Sequence, residues 1–148
     1  MTEAEKSAVS RIRCSEIMTR DVRTATREMT LQQVAQMMRD GDMGSVPVVE
    51  DGRLIGIVTD RDLAVNVVAE GLDPKTTQIG EVMTKGLVTC KENDDVWTAL
   101  KLMQENQVRR IPVVDDKDHL RGIIAQADVA TKFGSERATG KTVEQISD

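Results

Sequence analysis

The sequence has almost no aromatic residues, with one Phe, one Trp and no Tyr in 148 residues. Many nucleic-acid-binding proteins stack bases on aromatic side chains and attract the phosphates with a basic face. The formal net charge of this chain is −5. The lack of aromatic residues and the negative charge together argue against DNA or RNA as a partner.

Long apolar runs are also missing. The best run, residues 54–58, is interrupted by Gly56, whereas a membrane-spanning helix needs about 20 predominantly apolar residues. The N-terminal sequence MTEAEKSAVSR has no apolar core of the kind a secretory signal carries. We therefore expect a cytoplasmic protein with no membrane partner.

Residues that support catalysis are scarce. Cys14 and Cys90 lack the spacing of a metal knuckle or a redox CxxC pair, so we expect reduced thiols and no metal. The single histidine, His119, lies in a polar stretch typical of a turn and is expected to be solvated. We find no Ser-His-Asp set and no glycine-rich Walker loop. We therefore expect no enzymatic activity, no catalytic residue and no catalytic cofactor.

What the sequence does contain is an internal repeat. Residues 17–49 superpose on residues 82–114 with a constant shift of 65, and after one extra residue the shift becomes 66. The matches include Met-Thr at 18–19 and 83–84, Pro-Val-Val at 47–49 and 112–114, and Gly-Ile at 56–57 and 122–123. So many matches at one spacing indicate a duplication.

Both copies predict the same helices and hairpins. Apolar residues at 31, 34, 35 and 38, and again at 96, 99, 100 and 103, have helical spacing. Thr30 with Gln33 predicts a capping box, and Asp94 or Asp95 can cap the matching helix. Residues 46–49 and 54–58 around Asp51-Gly52 predict a β-hairpin, which residues 111–114 and 120–124 repeat.

The flanking segments complete each copy. A second helix is predicted over residues 63–70, ended by Gly71, with a counterpart over about 128–133. The extended segments 20–26 and 85–91 predict an additional strand in each copy. Residues 1–10 are polar and expected to be mobile, and residues 142–146 are expected to form a short helix or strand.

The pattern predicts an α/β (α+β) fold of two βαββα units whose small sheets pack against helices. The predicted divisions are an N-terminal arm (1–12), repeat 1 (13–72), a linker (73–80), repeat 2 (81–134) and a C-terminal tail (135–148). One such unit leaves a sheet face uncovered, which a second copy across a pseudo-twofold axis can cover. Clefts where the copies meet are expected to bind small ligands.

The sharpest local motif is Thr-x-x-Asp at residues 59–62, between a predicted strand and a helix. Thr59 and Asp62 can simply cap that helix. Alternatively, the hydroxyl and the free N–H groups of the helix bind a phosphate, while the carboxylate accepts hydrogen bonds from a ribose. The two interpretations are compatible, and both stay open.

The order Met-Thr, helix, apolar-Pro-Val-Val and Gly-Ile-Val-Thr-x-x-Asp, occurring twice over residues 13–134, resembles the tandem cystathionine-β-synthase (CBS) domain pair, or Bateman module. In its overall organisation the chain resembles the stand-alone bacterial CBS-pair proteins. The resemblance implies a regulatory module that binds AMP, ADP, ATP or S-adenosylmethionine between the repeats. It also implies a homodimer and an unidentified protein partner.

The same resemblance assigns two ligand sites. The first consists of Thr59, Asp62, Thr84, Val88, Val108, Arg109 and Arg110. The second consists of Thr19, Arg23, Met43, Gly44, Ser45 and Asp128. We expect the first to bind more tightly, because its two arginines can donate to phosphate as forked donors. The second has Ala125 in place of the threonine and Gly44-Ser45 in place of the arginines.

Two further interpretations concern surfaces. A ligand-free dimerisation or docking protein, using the CBS fold as an interaction surface, is the alternative to a nucleotide-binding module. Trp97 lies beside the apolar stripe of its helix and is expected to be half exposed, either as a rim packing residue or as a dimer contact. The methionines on apolar faces are expected to fill the core.

Overall fold

The computed structural model describes residues 1–132. Its first half contains α1 (Glu3–Val9), α2 (Cys14–Ile17), α3 (Leu31–Gly41), β1 (Ser45–Glu50), β2 (Arg53–Thr59) and α4 (Asp60–Ala64). Its second half contains β3 (Cys90–Lys91), α5 (Val96–Glu105), β4 (Arg110–Val114), β5 (Leu120–Ala125) and α6 (residues 126–132). The predicted tail, residues 135–148, and Phe133 at the end of the last predicted helix lie outside the described residues.

The first predicted hairpin is confirmed. Strands β1 and β2 pair antiparallel from Ser45 opposite Thr59 to Glu50 opposite Arg53, with a register shift after Val48. Both turn residues have positive φ, 52° at Asp51 and 81° at Gly52. This is the backbone that a two-residue type I′ turn requires. In the second copy β4 and β5 are neighbours in a three-stranded sheet ordered β3-β4-β5.

The additional strand is present in both copies but is much shorter than predicted. In the second copy it is β3, which pairs in parallel with β4 through Cys90 opposite Val113. In the first copy it is a single parallel bridge between Ala25 and Val48. Ala25 and Cys90 are buried, while the other residues of the two segments are half-buried or exposed, so the pairing is confined to the part of each segment that reaches the core.

The helices begin where the capping residues predict. Thr30 and Gln33 form the capping box of α3, and Asp95 caps α5 by accepting a hydrogen bond from the backbone of Thr98. The predicted core faces are buried except at Leu100, which is half-buried, and at Ala35, which is exposed. Each of these helices therefore buries one stripe of apolar side chains and leaves the other faces in water.

The helix after β2 starts earlier than predicted and changes its winding. It begins at Asp60 as α4 and continues through a wider π-helical turn, Val65–Ala69. Gly71 follows with a φ of 68°, as its predicted role at the end of the helix requires. Val68 is 81% exposed in this turn.

Nowhere in residues 1–132 is there a helix with the length and apolar character needed to cross a membrane.

The N-terminal segment is more ordered than predicted. Residues 3–9 form α1, whose first turn is capped by the Thr2 hydroxyl and contains Glu3 and Glu5. Acidic residues in the first turn stabilise a helix through its dipole. Val9 is completely buried in the same core cluster as α5. The expectation of mobility is wrong for these residues, because one buried valine anchors an otherwise polar helix.

The described chain folds into two compact units that differ from the two sequence repeats. Unit 1 contains residues 1–21, 88–116 and the chain from Arg121, and unit 2 contains residues 22–87 and 117–120. The units differ from the repeats because each Met-Thr segment pairs with a strand of the other repeat. Thr19 pairs with Ile123 of β5, and Thr84 pairs with Ile57 of β2. Each unit thus takes its Met-Thr segment from the other repeat. The repeat boundaries given above stay a prediction.

Each unit has its own core. In unit 2 the largest completely buried side chains come from α3, β1, β2 and the turn at Ile79. In unit 1 they come from α1, α5, β4 and β5. Met18, Met38, Met83 and Met103 are buried in these cores, which confirms their expected role as core filler.

Candidate functional site

In unit 2 the segment after the second Met-Thr lies against strand β2. Ile57 donates to the Thr84 carbonyl at 3.0 Å, and Thr84 donates to the Ile57 carbonyl at 2.9 Å. A Cβ placed on Gly56 would lie 2.6 Å from Met83 Sδ and 3.1 Å from the Thr84 carbonyl oxygen. A side chain at this position would force Met83 or the Thr84 backbone to move, so glycine permits the close approach. Thr84, which is exposed, pairs with Ile57, two residues before Thr59 in β2.

Unit 1 repeats this arrangement with Met18 and Thr19. Thr19 exchanges backbone hydrogen bonds of 2.8 and 3.0 Å with Ile123. A Cβ on Gly122 would lie 2.7 Å from the Thr19 carbonyl oxygen and 2.9 Å from Met18 Sδ. The sequence analysis missed this contact, although the glycine and the methionine recur in both copies and were the available signal.

Thr59 and Asp62 close a capping box at the start of α4. The Thr59 hydroxyl accepts from the Asp62 backbone at 3.1 Å, and Asp62 Oδ2 accepts from the Thr59 backbone at 3.0 Å. The capping interpretation is therefore confirmed. Both side chains remain partly exposed. Among residues 1–132, nothing hydrogen-bonds to the second carboxylate oxygen of Asp62, Oδ1.

Unit 2 also contains most of the second predicted set. Ser45 lies opposite Thr59 in the hairpin, and the Gly44 carbonyl accepts from the Asp60 backbone at 3.1 Å. Ser45 is buried. Arg23 is exposed and lies close to Asp40, whose pKa is held below its usual value first by a hydrogen bond from Arg39 and to a smaller degree by Arg23.

Unit 1 contains the arginines of the first predicted set. The Arg109 carbonyl accepts from the Gln126 backbone at 2.9 Å, the counterpart of the contact between Gly44 and Asp60. Arg109 and Arg110 are exposed, and neither forms an ion pair with another residue in the described part of the chain. Val108 is 40% exposed and Val88 is half-buried.

The helix start in unit 1 lacks the hydroxyl. Ala125 ends β5 where Thr59 ends β2, and α6 begins at the next residue. Asp128 is partly exposed, and no hydrogen bond to its carboxylate is found within residues 1–132. The structure thus places Asp128 and Thr19 in unit 1, and Thr59, Asp62 and Thr84 in unit 2.

The remaining predicted residues divide in the same way between the units. Unit 1 holds Val88, Val108, Arg109 and Arg110, and unit 2 holds Arg23, Met43, Gly44 and Ser45. Each predicted set therefore has members in both units. Within unit 2, Thr59 and Asp62 are in hydrogen-bond contact at the end of β2, and Thr84 pairs with Ile57 two residues earlier on the same strand.

A separate cavity of about 420 Å³ lies within unit 1. Trp97, Leu100 and Val129 line it, together with Lys6 of α1. The Lys6 ammonium lies 5.3 Å from the centre of the Trp97 ring, within the range of a cation–π contact. Trp97 is half-buried and packs against the core of unit 1, which confirms the expected exposure, while its role as a dimer contact stays a prediction. No predicted ligand residue lines this cavity.

The sequence comparison decides the family. Residues 14–69 and 79–135 each match the family model described as the CBS domain. The chain belongs to the CBS domain family. The resemblance drawn from the repeated motifs is thereby confirmed, and the two matched segments are the two copies of the duplication.

Curated CBS relatives match most of the chain. The CBS domain-containing protein YhcV of Bacillus subtilis is 38% identical over 130 residues, which cover 88% of this chain and 91% of YhcV. Hypoxic response protein 1 of Mycobacterium tuberculosis is 38% identical over 116 residues, which cover 78% of this chain and 80% of that protein. The likeness therefore covers most of this chain and most of each of these two relatives.

Solved structures of CBS-pair proteins share the fold. Hypoxic Response Protein I with two coordinated zinc ions matches with a TM-score of 0.74 and 37% identity over 80% of this chain and 97% of that one. The CBS domain pair of protein MJ0100 in complex with 5′-methylthioadenosine and S-adenosyl-L-methionine matches with a TM-score of 0.74 and 26% identity, covering 84% and 97%. In residues 1–132 of this chain, no group of three or more His, Cys, Asp and Glu could hold a metal ion.

Proposed function

We propose that this CBS domain pair is a regulatory module that binds an adenine nucleotide, AMP, ADP or ATP, and performs no chemistry on it. The observation that carries the proposal is the arrangement of Thr59, Asp62 and Thr84 at the end of β2. Thr59 and Asp62 are joined by the capping box, and the backbone of Thr84 pairs with Ile57, two residues before Thr59 in β2. Thr59 and Asp62 keep hydrogen-bonding capacity after capping the helix.

The ribose is assigned to Asp62. Its Oδ2 is committed to the Thr59 backbone, while Oδ1 has no hydrogen bond within the described chain. A carboxylate oxygen has two acceptor positions, so Oδ1 can accept from both hydroxyls of a ribose. Thr59 Oγ1 accepts one bond and still has a hydrogen to donate. The capping box thus orients the groups that bind the sugar.

The phosphate is assigned to Arg109 and Arg110. Both guanidinium groups are exposed, and neither is neutralised by a carboxylate in the described chain. Arginine binds phosphate through two parallel N–H donors, which makes it a better phosphate ligand than a single ammonium. With aromatic residues so scarce, the adenine is assigned to the aliphatic side chains Val88 and Val108.

The structural relative MJ0100 supports the adenosine part of this assignment. It was solved with 5′-methylthioadenosine and S-adenosyl-L-methionine, which carry an adenosine and no phosphate. Thr59 and Asp62 provide for the sugar that those ligands share with AMP. The paired arginines of this chain add a preference for phosphate, and S-adenosylmethionine stays the alternative ligand.

The test is a thermal-shift panel on the full chain with AMP, ADP, ATP, S-adenosylmethionine, 5′-methylthioadenosine and NADH. A ligand at 100 times its Kd adds about 2.7 kcal/mol to the free energy of unfolding. We expect the phosphorylated adenosines to give the largest rise in melting temperature. A panel without any rise would contradict the proposal and favour the ligand-free docking protein instead.

Asp62→Asn sharpens this test. The asparagine oxygen can still accept from the Thr59 backbone and keep the cap, while the charge that attracts the ribose hydroxyls is lost. We expect a nearly unchanged melting temperature without ligand and a reduced ligand-induced rise. Asp128→Asn is the matched control in unit 1 and should reduce the rise less. Equal reductions for the two variants would contradict the assignment of the stronger site.

The proposed assembly is a homodimer that can present a surface to a further protein partner. Val65 and Val68 are exposed, by 46% and 81%, on the helical turn that follows α4. Exposed valines on one turn favour burial against a second copy. Light scattering after gel filtration should give a dimer mass for the wild type and a monomer mass for Val68→Asp. A monomeric wild type would contradict the assembly.

The cytoplasmic location expected from the sequence stays a prediction.

A further inference from the structure

Two cysteines far apart in the sequence meet in unit 1. Cys14 is the first residue of α2 and Cys90 the first residue of β3. They are 76 residues apart in the chain, and their sulfur atoms lie 3.7 Å apart. Both are free thiols. Cys14 belongs to the first sequence repeat and Cys90 to the second, so the contact joins the two copies of the duplication.

The thiols lie inside the core of unit 1. Cys14 is 0% exposed and Cys90 2% exposed. Besides each other, they contact only backbone carbonyl oxygens as hydrogen-bond partners, that of Asp95 at 3.7 Å from Cys14 and that of Pro112 at 3.9 Å from Cys90. The hydrogen bond with Cys90 and burial raise the pKa of Cys14 above its usual value. The closed, reduced pair is therefore slow to react.

The equivalent positions in unit 2 show that the fold does not need sulfur here. With the shift of 65, Cys90 corresponds to Ala25 and Cys14 corresponds to Ile79. Ala25 and Ile79 are both buried in the core of unit 2. Unit 2 therefore has an alanine and an isoleucine in its core at the positions where unit 1 has two thiols in contact.

We propose that Cys14 and Cys90 are a redox modification site, which forms a reversible intramolecular disulfide with a small two-electron oxidant such as hydrogen peroxide. A disulfide has an S–S distance of about 2.05 Å. The sulfur atoms therefore need to approach by less than 2 Å from their 3.7 Å separation, a movement within reach of small side-chain and backbone adjustments. The inference is independent of the proposed nucleotide function.

The reaction is balanced with hydrogen peroxide as the oxidant. One sulfur, as its thiolate, attacks a peroxide oxygen; the O–O bond breaks, leaving a sulfenic acid and a hydroxide that takes up the proton lost by the thiol. The second sulfur attacks the sulfenic sulfur, the S–O bond breaks, and hydroxide leaves to become the second water. Two thiols lose two electrons and two protons, and one peroxide is reduced to two waters.

Access for the oxidant depends on opening of α2. This helix has four residues, and the hydrogen bonds at its start run from Cys14 to the Asp94 carbonyl at 2.8 Å and from Ser15 to the Glu92 carbonyl at 3.0 Å. Short elements with few hydrogen bonds open locally at a lower free energy than the whole domain. The disulfide then links α2 covalently to β3. Thr19, a residue of the second predicted ligand set, follows Cys14 by five residues and therefore lies close to this link.

The test uses the full, reduced chain treated with a small excess of hydrogen peroxide at low protein concentration. We expect the intact mass to fall by two hydrogen atoms while the chain stays unlinked to other chains on a non-reducing gel. Trypsin should then release one disulfide-linked pair of peptides, residues 14–20 and residues 86–91. Dithiothreitol should restore the original mass, and the melting temperature should be higher in the oxidised state.

Three variants serve as controls. Cys14→Ser and Cys90→Ser each keep one thiol and should show no loss of two hydrogens. The double variant Cys14→Ile with Cys90→Ala copies the residues of unit 2 and should fold, while peroxide should leave its melting temperature unchanged. Two free thiols after treatment of the wild type, a gain of oxygen without a link, or a link only between chains would each overturn the proposal.

Discussion

Unit 2 ends its strand β2 with a hydroxyl, whereas unit 1 ends the matching strand β5 with a methyl group. Thr59 closes a capping box with Asp62. Ala125 offers no acceptor to Asp128 or to the start of α6. Both units share the backbone arrangement beside this strand, in which a glycine lies under a methionine. The difference therefore concerns what the site can bind and how firmly its helix begins.

In a second difference between the units, unit 1 has the polar groups that unit 2 lacks. Unit 1 presents Arg109 and Arg110 at the start of strand β4, where unit 2 has Gly44 and the buried Ser45 at the start of β1. Unit 2 is thus richer in groups that suit a sugar, and unit 1 is richer in groups that suit a phosphate. Both differences favour the first predicted ligand set, because it includes both the threonine and the arginines.

The largest expected effect comes from removing the arginines. The double variant Arg109→Gln with Arg110→Gln should weaken AMP or ATP binding by about 100-fold, since hydrogen bonds to charged groups contribute about 1.5–3 kcal/mol each and about 1.4 kcal/mol is a factor of ten. Binding of 5′-methylthioadenosine should change little. Titration calorimetry measures both ligands.

Arg23→Gln is the matched control, because Arg23 is the exposed arginine of the second predicted set. It should change the affinity of the stronger site by less than the double variant does. If the loss is equal for phosphorylated and unphosphorylated ligands, the arginines do not bind the phosphate, and the contrast drawn between the two units is wrong.

The next effect concerns the glycines under the methionines. Gly122→Ala should lower the free energy of unfolding more than Gly56→Ala, with both in the range of about 1–3 kcal/mol for overpacking. At Gly122 the nearest atom is a backbone oxygen at 2.7 Å, whereas at Gly56 it is the flexible Met83 sulfur at 2.6 Å and the backbone oxygen is at 3.1 Å. Urea unfolding measures the difference.

Met83→Ala in the Gly56→Ala background provides the control. Removing the sulfur should relieve part of the strain at Gly56, while Met18→Ala in the Gly122→Ala background should relieve less, because the Thr19 carbonyl remains in place. Equal costs for the two glycine substitutions would show that the sulfur contacts, and not the backbone oxygens, decide the fit.

Local features of this fold were predictable from the sequence and non-local ones were not. The turn at Asp51-Gly52 and the capping box of Thr30 with Gln33 depend on residues close in the chain, and both formed as predicted. The exchange of the Met-Thr segments depends on pairings such as Thr19 with Ile123. No periodicity within either segment signals such a partner.

The same distinction holds for the site and for the cysteines. The pairing of Thr59 with Asp62 followed from a four-residue motif. The contact of Cys14 with Cys90 joins residues 76 positions apart, and neither residue has a local pattern that indicates the other. The shift of 65 places them opposite Ile79 and Ala25, but only the packing of unit 1 brings the sulfur atoms together.

The smallest expected effect exchanges the helix starts of the two units. Thr59→Ala should lower the free energy of unfolding by about 1 kcal/mol, because a lost N-cap typically costs about 0.5–2 kcal/mol. Ala125→Thr should raise it by a smaller amount, since Asp128 stands at the position that completes a capping box. Differential scanning calorimetry without ligand measures both changes.

The ligand-bound measurements separate capping from binding in these two variants. Thr59→Ala should also reduce the melting-temperature rise that AMP produces, since the hydroxyl is assigned to the ligand as well as to the cap. Thr30→Ala is the matched control, because it removes the capping hydroxyl of α3 at a position outside both predicted ligand sets. If both variants lose the same stability and both leave the AMP-induced rise in melting temperature unchanged, Thr59 acts only as a cap. The ribose assignment then depends on Asp62 alone.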